Sequence, residues 1–327
     1  MTHVDDTRTP TETATTTGAD PRTRPPGHEV WGYRPITAPP GPAWPGGRRL
    51  AVYVAVGLEE YRFGAGRTED IVPDVSAPDL VNTSWRDYGN RVGAFRLLER
   101  LDRAGIPPTV LLNTALYDSA PELVETARRL GAEFVGHGIS NSDSLAGMSP
   151  ADEAAYVTSV AARIAAEEGT APGGWSSPWL THTPSTLDNL VAAGYRYLLD
   201  LRLDDRPVPI ATAGGTLLAL PYALEVNDST TVVGRGASAG EFADMVVDEF
   251  DELLERSEEQ PLVMSVVVHS FISGAPFRLR ALDRALRHLT ASGDRVWFTQ
   301  PRSIAAHLQQ VVGTAAAQSL DAPGGTP

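Results

Sequence analysis

Five polar stretches in this chain carry side chains able to do chemistry, and each follows an apolar run. Leu58-Glu59-Glu60-Tyr61 comes directly after R-L-A-V-Y-V-A-V-G at 49–57. His137 ends E-F-V-G-H at 133–137, and Asn141 stands four residues on. Asp200 ends Y-R-Y-L-L-D, with Asp204 and Asp205 beyond it, and Tyr222 ends L-L-A-L-P-Y, with Glu225 and Asn227 beyond. His269 ends P-L-V-M-S-V-V-V-H. Carboxylates and imidazoles are the groups that move protons near neutral pH or hold a metal. His137-x-x-x-Asn141 therefore has three readings: a metal site with one ligand replaced, a metal-free catalytic site, or a histidine that only packs. Each residue also has a bland reading as a strand-end hydrogen bonder or a solvated turn. Their joint placement at strand ends favours a site.

The elements that must position them alternate between strand and helix. Runs at 49–57, 109–113, 133–137, 174–176, 195–200, 217–222, 261–269 and 295–299 read as strands. The 49–57 run is apolar almost throughout, as a parallel strand buried on both faces requires. Val92, Phe95, Leu98 and Leu101 recur at helical spacing over 88–104, with Gly105 as the stop. Ser119-Ala-Pro-Glu122 and Ser238-Ala-Gly-Glu241 have the spacing of a capping box, and Ser149-Pro150 opens another helix. Repeated β–α alternation indicates a parallel sheet under helical cover. Seven or eight strands between residues 49 and 311 suit an α/β barrel of mostly parallel strands better than an open sheet. The C-terminal strand ends of such a barrel share one face, where its active sites are built.

Composition narrows the function. Apolar residues make up 42% of the 327, enough for a sizeable core. A net charge of −14 spread along the chain argues against nucleic acid and anionic membrane surfaces, which need basic patches. No run approaches the roughly 20 apolar residues of a membrane span. The chain has no cysteine, which rules out disulfides, thiolate metal sites and a cysteine nucleophile. Residues 1–27 are Thr/Pro-rich without an apolar signal segment and are expected to be a disordered tail in a cytoplasmic protein. Residues 28–311 form one expected domain, and 312–327 a flexible C-terminal tail. His288 and His307 fall in helices and read as structural; His182 precedes a helix start, and His3 and His28 lie in or beside the tail.

In order and type these stretches resemble the polysaccharide deacetylase superfamily, the NodB-type domain, over roughly residues 30–310. Leu58-Glu59-Glu60-Tyr61 stands where that family has an apolar strand ending in Asp-Asp-Gly, and His137-Gly-Ile-Ser-Asn141 where it has His-x-x-x-His. Gly174-Trp175-Ser176-Ser177-Pro178-Trp179 is similar to its catalytic loop, and Val266-Val267-Val268-His269 to its last motif. W-R-D-Y-G-N-R-V-G-A-F-R-L-L (85–98), L-D-L-R-L-D-D-R-P (199–207) and H-S-F-I-S-G-A-P-F-R-L-R (269–280) resemble the metal-independent allantoinase and cyclic-imide-hydrolase branch, as does the Glu-Glu pair.

The resemblance implies a distorted (β/α) barrel and an amidohydrolase acting on non-peptide carbon–nitrogen bonds. Ring-opening of a cyclic ureide, amide or imide is the expected reaction. The alternatives are N-deacetylation of a carbohydrate or polysaccharide and a barrel that binds a small molecule without turnover. Carried over by position, Glu59, His137 and His269 are the catalytic residues. Glu60, Asn141, Ser176, Trp179, Asp205, Tyr222 and Arg278 are expected to contact substrate, with Arg91 as a further anchor. Amide hydrolysis needs a base for water, donors for the oxyanion and an acid for the leaving nitrogen. A neutral amide is a poor zinc ligand, so Asn141 makes metal-free hydrolysis the expectation. The alternative is one weakly bound divalent metal, zinc, on Glu60, His137 and Asn141. The partner is a small-molecule substrate, and the branch implies a homo-oligomer.

Overall fold

In the computed structural model, which describes residues 30–321, nine strands form one curled sheet. They are β1 (Leu50–Leu58), β2 (Pro108–Leu112), β3 (Glu133–Gly136), β4 (Gly174–Trp175), β5 (Tyr197–Leu198), β6 (Val208–Thr212), β7 (Gly215–Ala219), β8 (Leu262–His269) and β9 (Val296–Phe298). The order along the sheet is β6-β7-β5-β4-β3-β2-β1-β8, and β9 pairs with the first residues of β1. Every pairing is parallel except β6–β7. This is a distorted barrel, with Asn227 bridging to Val267 on the open side of β8.

The most apolar runs occupy the middle. All residues of β1 and β8 are buried, which is why neither shows a polar/apolar alternation. Helices α1 (Leu80–Tyr88), α2 (Ala94–Arg103), α3 (Leu116–Ser119), α4 (Pro121–Arg129), α5 (Pro150–Glu168), α6 (Thr186–Ala192), α7 (Ala239–Arg256), α8 (Pro276–Thr290) and α9 (Pro301–Asp321) cover the sheet. Leu97, Leu98 and Leu101 of α2 point into the core, as their spacing requires.

Three local expectations are corrected. The helix expected over 88–104 starts at Leu80 and passes through a π-helical turn at Gly89–Gly93. The cause is close packing: a Cβ on Gly93 would lie 2.0 Å from the Ser270 carbonyl oxygen, and one on Gly89 2.6 Å from Ser270 Oγ. Ser119 does not cap α4, because it is still the last residue of α3 and Ala120 takes the N-cap place. Ser238 does form its capping box with Glu241. Strand β6, absent from the sequence reading, forms an edge hairpin with β7 around Ala213-Gly214. Its Pro209 disguised it, since proline is tolerated in a strand only at an edge.

Helix α9 carries the backbone through residues 312–321, part of the expected C-terminal tail. The expected tail at 1–27, His3, His28 and residues 322–327 lie outside the described residues.

Candidate active site

Parallel pairing brings the ends of β1, β3, β4 and β8 to one rim. Gly57 pairs with His269, Leu58 with Leu112, Leu112 with Gly136, and Gly136 with Trp175. Glu59, His137, Ser176 and His269 are therefore neighbours although far apart in sequence. Asn113 ties two of these ends together: its Oδ1 accepts from Glu60 N at 2.9 Å and its Nδ2 donates to the His137 carbonyl. The rim is too tight for a side chain at Gly57, where a Cβ would stand 2.6 Å from His269 Cδ2.

Glu59 is the centre. It is 3% exposed. Its Oε1 lies 3.3 Å from His269 Nε2 and 3.5 Å from His137 Nε2. Its Oε2 accepts from Tyr61 OH at 2.7 Å and from Asn141 Nδ2 at 2.9 Å. Each imidazole is held by its other nitrogen. His137 Nδ1 meets the Ser176 carbonyl at 2.8 Å, so Nδ1 carries a proton and Nε2 faces Glu59. His269 Nδ1 lies 2.6 Å from Asp228 Oδ1. Asp228 is fully buried and also accepts from the backbone N–H groups of His269 and Ser273 and from Ser273 Oγ. Asp228, His269 and Glu59 thus form a continuous carboxylate–imidazole–carboxylate chain.

The electrostatics follow from that chain. Burial alone would raise the Glu59 carboxyl, but the charge of His269 and hydrogen bonds from both histidines hold it well below the usual range. Burial opposes charge on His269, yet Glu59 and Asp228 together raise it well above an ordinary histidine. At neutral pH the pair is a carboxylate beside an imidazolium.

A cavity of about 130 Å³ opens over this pair. Besides Glu59, His137, Asn141 and His269, its wall includes Glu69, Ser177, Trp179, Tyr222 and Ser229. Trp179 and Leu180 have positive φ of 59° and 52°, a strained conformation for such side chains, of the kind found at ligand sites. Trp179 is pinned by an Nε1 bond to the Asn141 carbonyl at 2.6 Å and by Arg67 over its ring.

The expected residues divide. Glu59, His137, His269, Asn141, Trp179 and Tyr222 line the cavity, and Ser176 sits just behind it. Glu60 does not line it; it borders a second cavity with Arg86, Asn90 and Arg91, which Glu59 and Tyr61 border as well. Glu59 thus stands between the two cavities, and Glu60 reaches only the second. Asp205 is also misplaced: its carbonyl accepts from Val263 N, at the far end of β8, about 20 Å of strand from His269. Arg278 stands outside the cavity at the start of α8, against Phe277. Arg91 lines the second cavity, near Asp87.

The metal set named from the sequence does not fit. Glu60 does not line the cavity that His137 and Asn141 share, so the three do not converge there; Asn141 gives its amide nitrogen to Glu59 and Tyr61, while its Oδ1 has no hydrogen-bond partner. No group of three or more His, Asp or Glu among the described residues is arranged to hold a metal ion. No helix among them is long and apolar enough to cross a membrane.

Sequence reasoning missed Asp228, Glu69 and Tyr61. Asp228 follows the Asn227 that was noticed, one residue further along the same strand-end loop. Tyr61 stood in the motif itself. Glu69 lies in the 59–79 loop, where no periodicity marks it. His182, which precedes α6, binds Asp200 at 2.8 Å, and Asp200 also accepts from Ser177 N. That pair braces the loop after β4 from behind.

No family model matches the chain. It is 27% identical over 282 residues to a polysaccharide deacetylase homologue of Schizosaccharomyces pombe, covering 80% of this chain and 85% of that one. Among solved structures, PuuE allantoinase superposes with a TM-score of 0.78 at 25% identity, over 87% of this chain and 97% of its own. A structure described as a "probable Polysaccharide deacetylase" of Pseudomonas aeruginosa PAO1 gives 0.75 at 26% identity, over 83% and 95%. The chain is thus a homologue of polysaccharide deacetylases and allantoinase, and it belongs with the amidohydrolases of the NodB-type superfamily.

Proposed function

We propose that this protein opens the ring of a small cyclic ureide, amide or imide by hydrolysis, without a tightly held metal. The observation that carries the reading is the Asp228–His269–Glu59 chain at the floor of a cavity of only about 130 Å³. Pockets for drug-sized ligands run to roughly 300–1,000 Å³, so this one suits a single small ring rather than a sugar chain.

The residues divide the work as follows. Glu59 is the ionised carboxylate that takes a proton from water as the water oxygen bonds to the carbonyl carbon, and it returns that proton to the ring nitrogen as the carbon–nitrogen bond breaks. The imidazolium of His269, fixed by Asp228, is the donor to the oxyanion that forms on the attacked carbonyl. His137 orients the water through Nε2, with its Nδ1–H satisfied by Ser176. Asn141 and Tyr61 hold the second oxygen of Glu59, which keeps Oε1 aimed at the histidines. Asn141 acts in this reading as a positioning residue through its amide nitrogen, a role that needs no metal.

N-deacetylation is the second reading, favoured by the names of two relatives. A product assay by mass spectrometry separates them. Protein treated with chelator is given cyclic ureides, cyclic imides and N-acetylated amino sugars. A ring-opened acid is the expected product; free acetate would replace the proposal with the second reading. Loss of ring opening on chelation, with return on added zinc, would overturn the metal-free part. Binding without any product would favour a non-catalytic barrel.

A further inference from the structure

Resting on the ring-hydrolase reading, we propose that Glu69 is the specificity residue of this site: its carboxyl group grips the N–H/C=O edge of a cyclic amide.

The placement comes first. Glu69 enters from the 59–79 loop and lines the same cavity as Glu59, His137 and His269. It is held at both ends. Its carbonyl accepts from the buried Arg86 at 2.8 Å, and its Oε1 accepts from Ser229 Oγ at 2.7 Å. Ser229 follows Asp228, so Glu69 is referenced to the loop that fixes His269. Glu59 already takes both Tyr61 and Asn141, which leaves Glu69 as the second carboxyl of the wall and the one without an imidazole on its oxygens.

The charge state comes next. Burial raises Glu69 to about 7; His269 and the Ser229 hydroxyl pull it down, and Glu59 and Asp228 push it up. It is therefore substantially protonated at neutral pH, unlike Glu59. A neutral carboxylic acid presents one donor and one acceptor side by side.

The chemistry of the ring supplies the match. Inside a small ring the amide is held cis, with N–H and C=O on one edge, so both can pair with one carboxylic acid. An acyclic secondary amide such as an N-acetyl group is trans, and adopting cis costs about 2.5–4 kcal/mol. Glu69 thus separates the two substrate classes that the fold family leaves open. Ionised Glu69 has no donor and cannot pair in this way.

The test uses ligands that resist hydrolysis, so that binding is read apart from turnover. Pyrrolidinone, N-methylpyrrolidinone and N-methylacetamide are titrated by NMR into the full-length protein at roughly pH 6 and roughly pH 8.5, either side of the Glu69 transition. Pyrrolidinone is expected to bind about 30-fold more tightly at the lower pH, since the competent form falls to a small fraction at the higher. N-methylpyrrolidinone and N-methylacetamide bind weakly with no such change. Glu69→Gln keeps a donor and an acceptor side by side, so it should bind pyrrolidinone at both pH values alike. Glu69→Ala should bind it weakly at both. The proposal is overturned if pyrrolidinone does not bind, if its binding is independent of pH, or if Glu69→Gln behaves as Glu69→Ala does. Turnover of hydantoin, measured in parallel, judges the other reading: no ring opening with the binding pattern intact removes the hydrolase and leaves the recognition.

Discussion

Glu59 and Asp228 are both buried carboxylates on an imidazole, and they have opposite tasks. In the proposed mechanism Glu59, which faces the cavity, exchanges protons, and Asp228, which stands behind His269, does not. Glu59→Gln removes the base and is expected to lower kcat by about 10²–10⁴-fold with the fold intact, checked by steady-state kinetics and circular dichroism. Asp228→Asn removes the charge behind His269. Burial then acts on that imidazole with less opposition, so its imidazolium is lost at lower pH. The alkaline limb of kcat should move to lower pH, and kcat itself should fall by about 10²-fold or more. An unmoved limb would show that His269 does not act as the imidazolium.

At the scale of elements, the site is a register problem. β1 and β8 run parallel with Gly57 opposite His269, so the backbone between Glu59 and His269 must be bare. Gly57→Ala places a methyl against the imidazole. It is expected to cost activity about tenfold or more through a displaced His269, while the unfolding temperature changes little if the ring alone moves. Gly93 solves a different problem, letting the π-turn before α2 seat on the Ser270 carbonyl. Backbone atoms cannot yield as a side chain does, so Gly93→Ala should cost about 1–3 kcal/mol of stability in denaturant titration. The contrast between these two glycines tests whether the rim or its support limits catalysis.

The whole molecule carries a pH liability away from the site. Glu133 opens β3, is buried, and is bonded by Tyr197 OH of β5 and by the Arg302 backbone N–H of α9. Burial raises it from 4.5 to about 7, only partly offset by Arg302 and Arg196. The folded state therefore keeps a proton that the unfolded chain releases, and stability is lost as pH rises from about 4.5 through about 7, by roughly 3 kcal/mol from this group. Glu133→Gln should flatten that part of the curve, with a higher unfolding temperature than wild type at pH values above 7 and little difference below 4.5. Equal slopes for the two proteins would show that Glu133 does not carry the effect.

The strands were legible because burial on both faces leaves an apolar run that no other element produces at that length, and the polar residue ending each run marked the catalytic rim. His137 and His269 could be named from that position, and Glu59 and Asn141 from that position together with the resemblance to the NodB-type motifs. Their partners could not. Whether Glu59 or Glu60 faces the cavity depends on a one-residue alternation at the end of β1, and two adjacent glutamates look alike in sequence. Asp205 shared the strand-end pattern, but the chain after β5 turns away to build the β6 hairpin. Asp228 and Glu69 reach the site through loops, where side-chain direction follows from what the backbone packs against. The sequence by itself determined which strand ends could carry acid–base groups. Only the tertiary structure decided which of those groups meet, because a contact across a barrel is set by register and by loop path, and neither is written in local spacing.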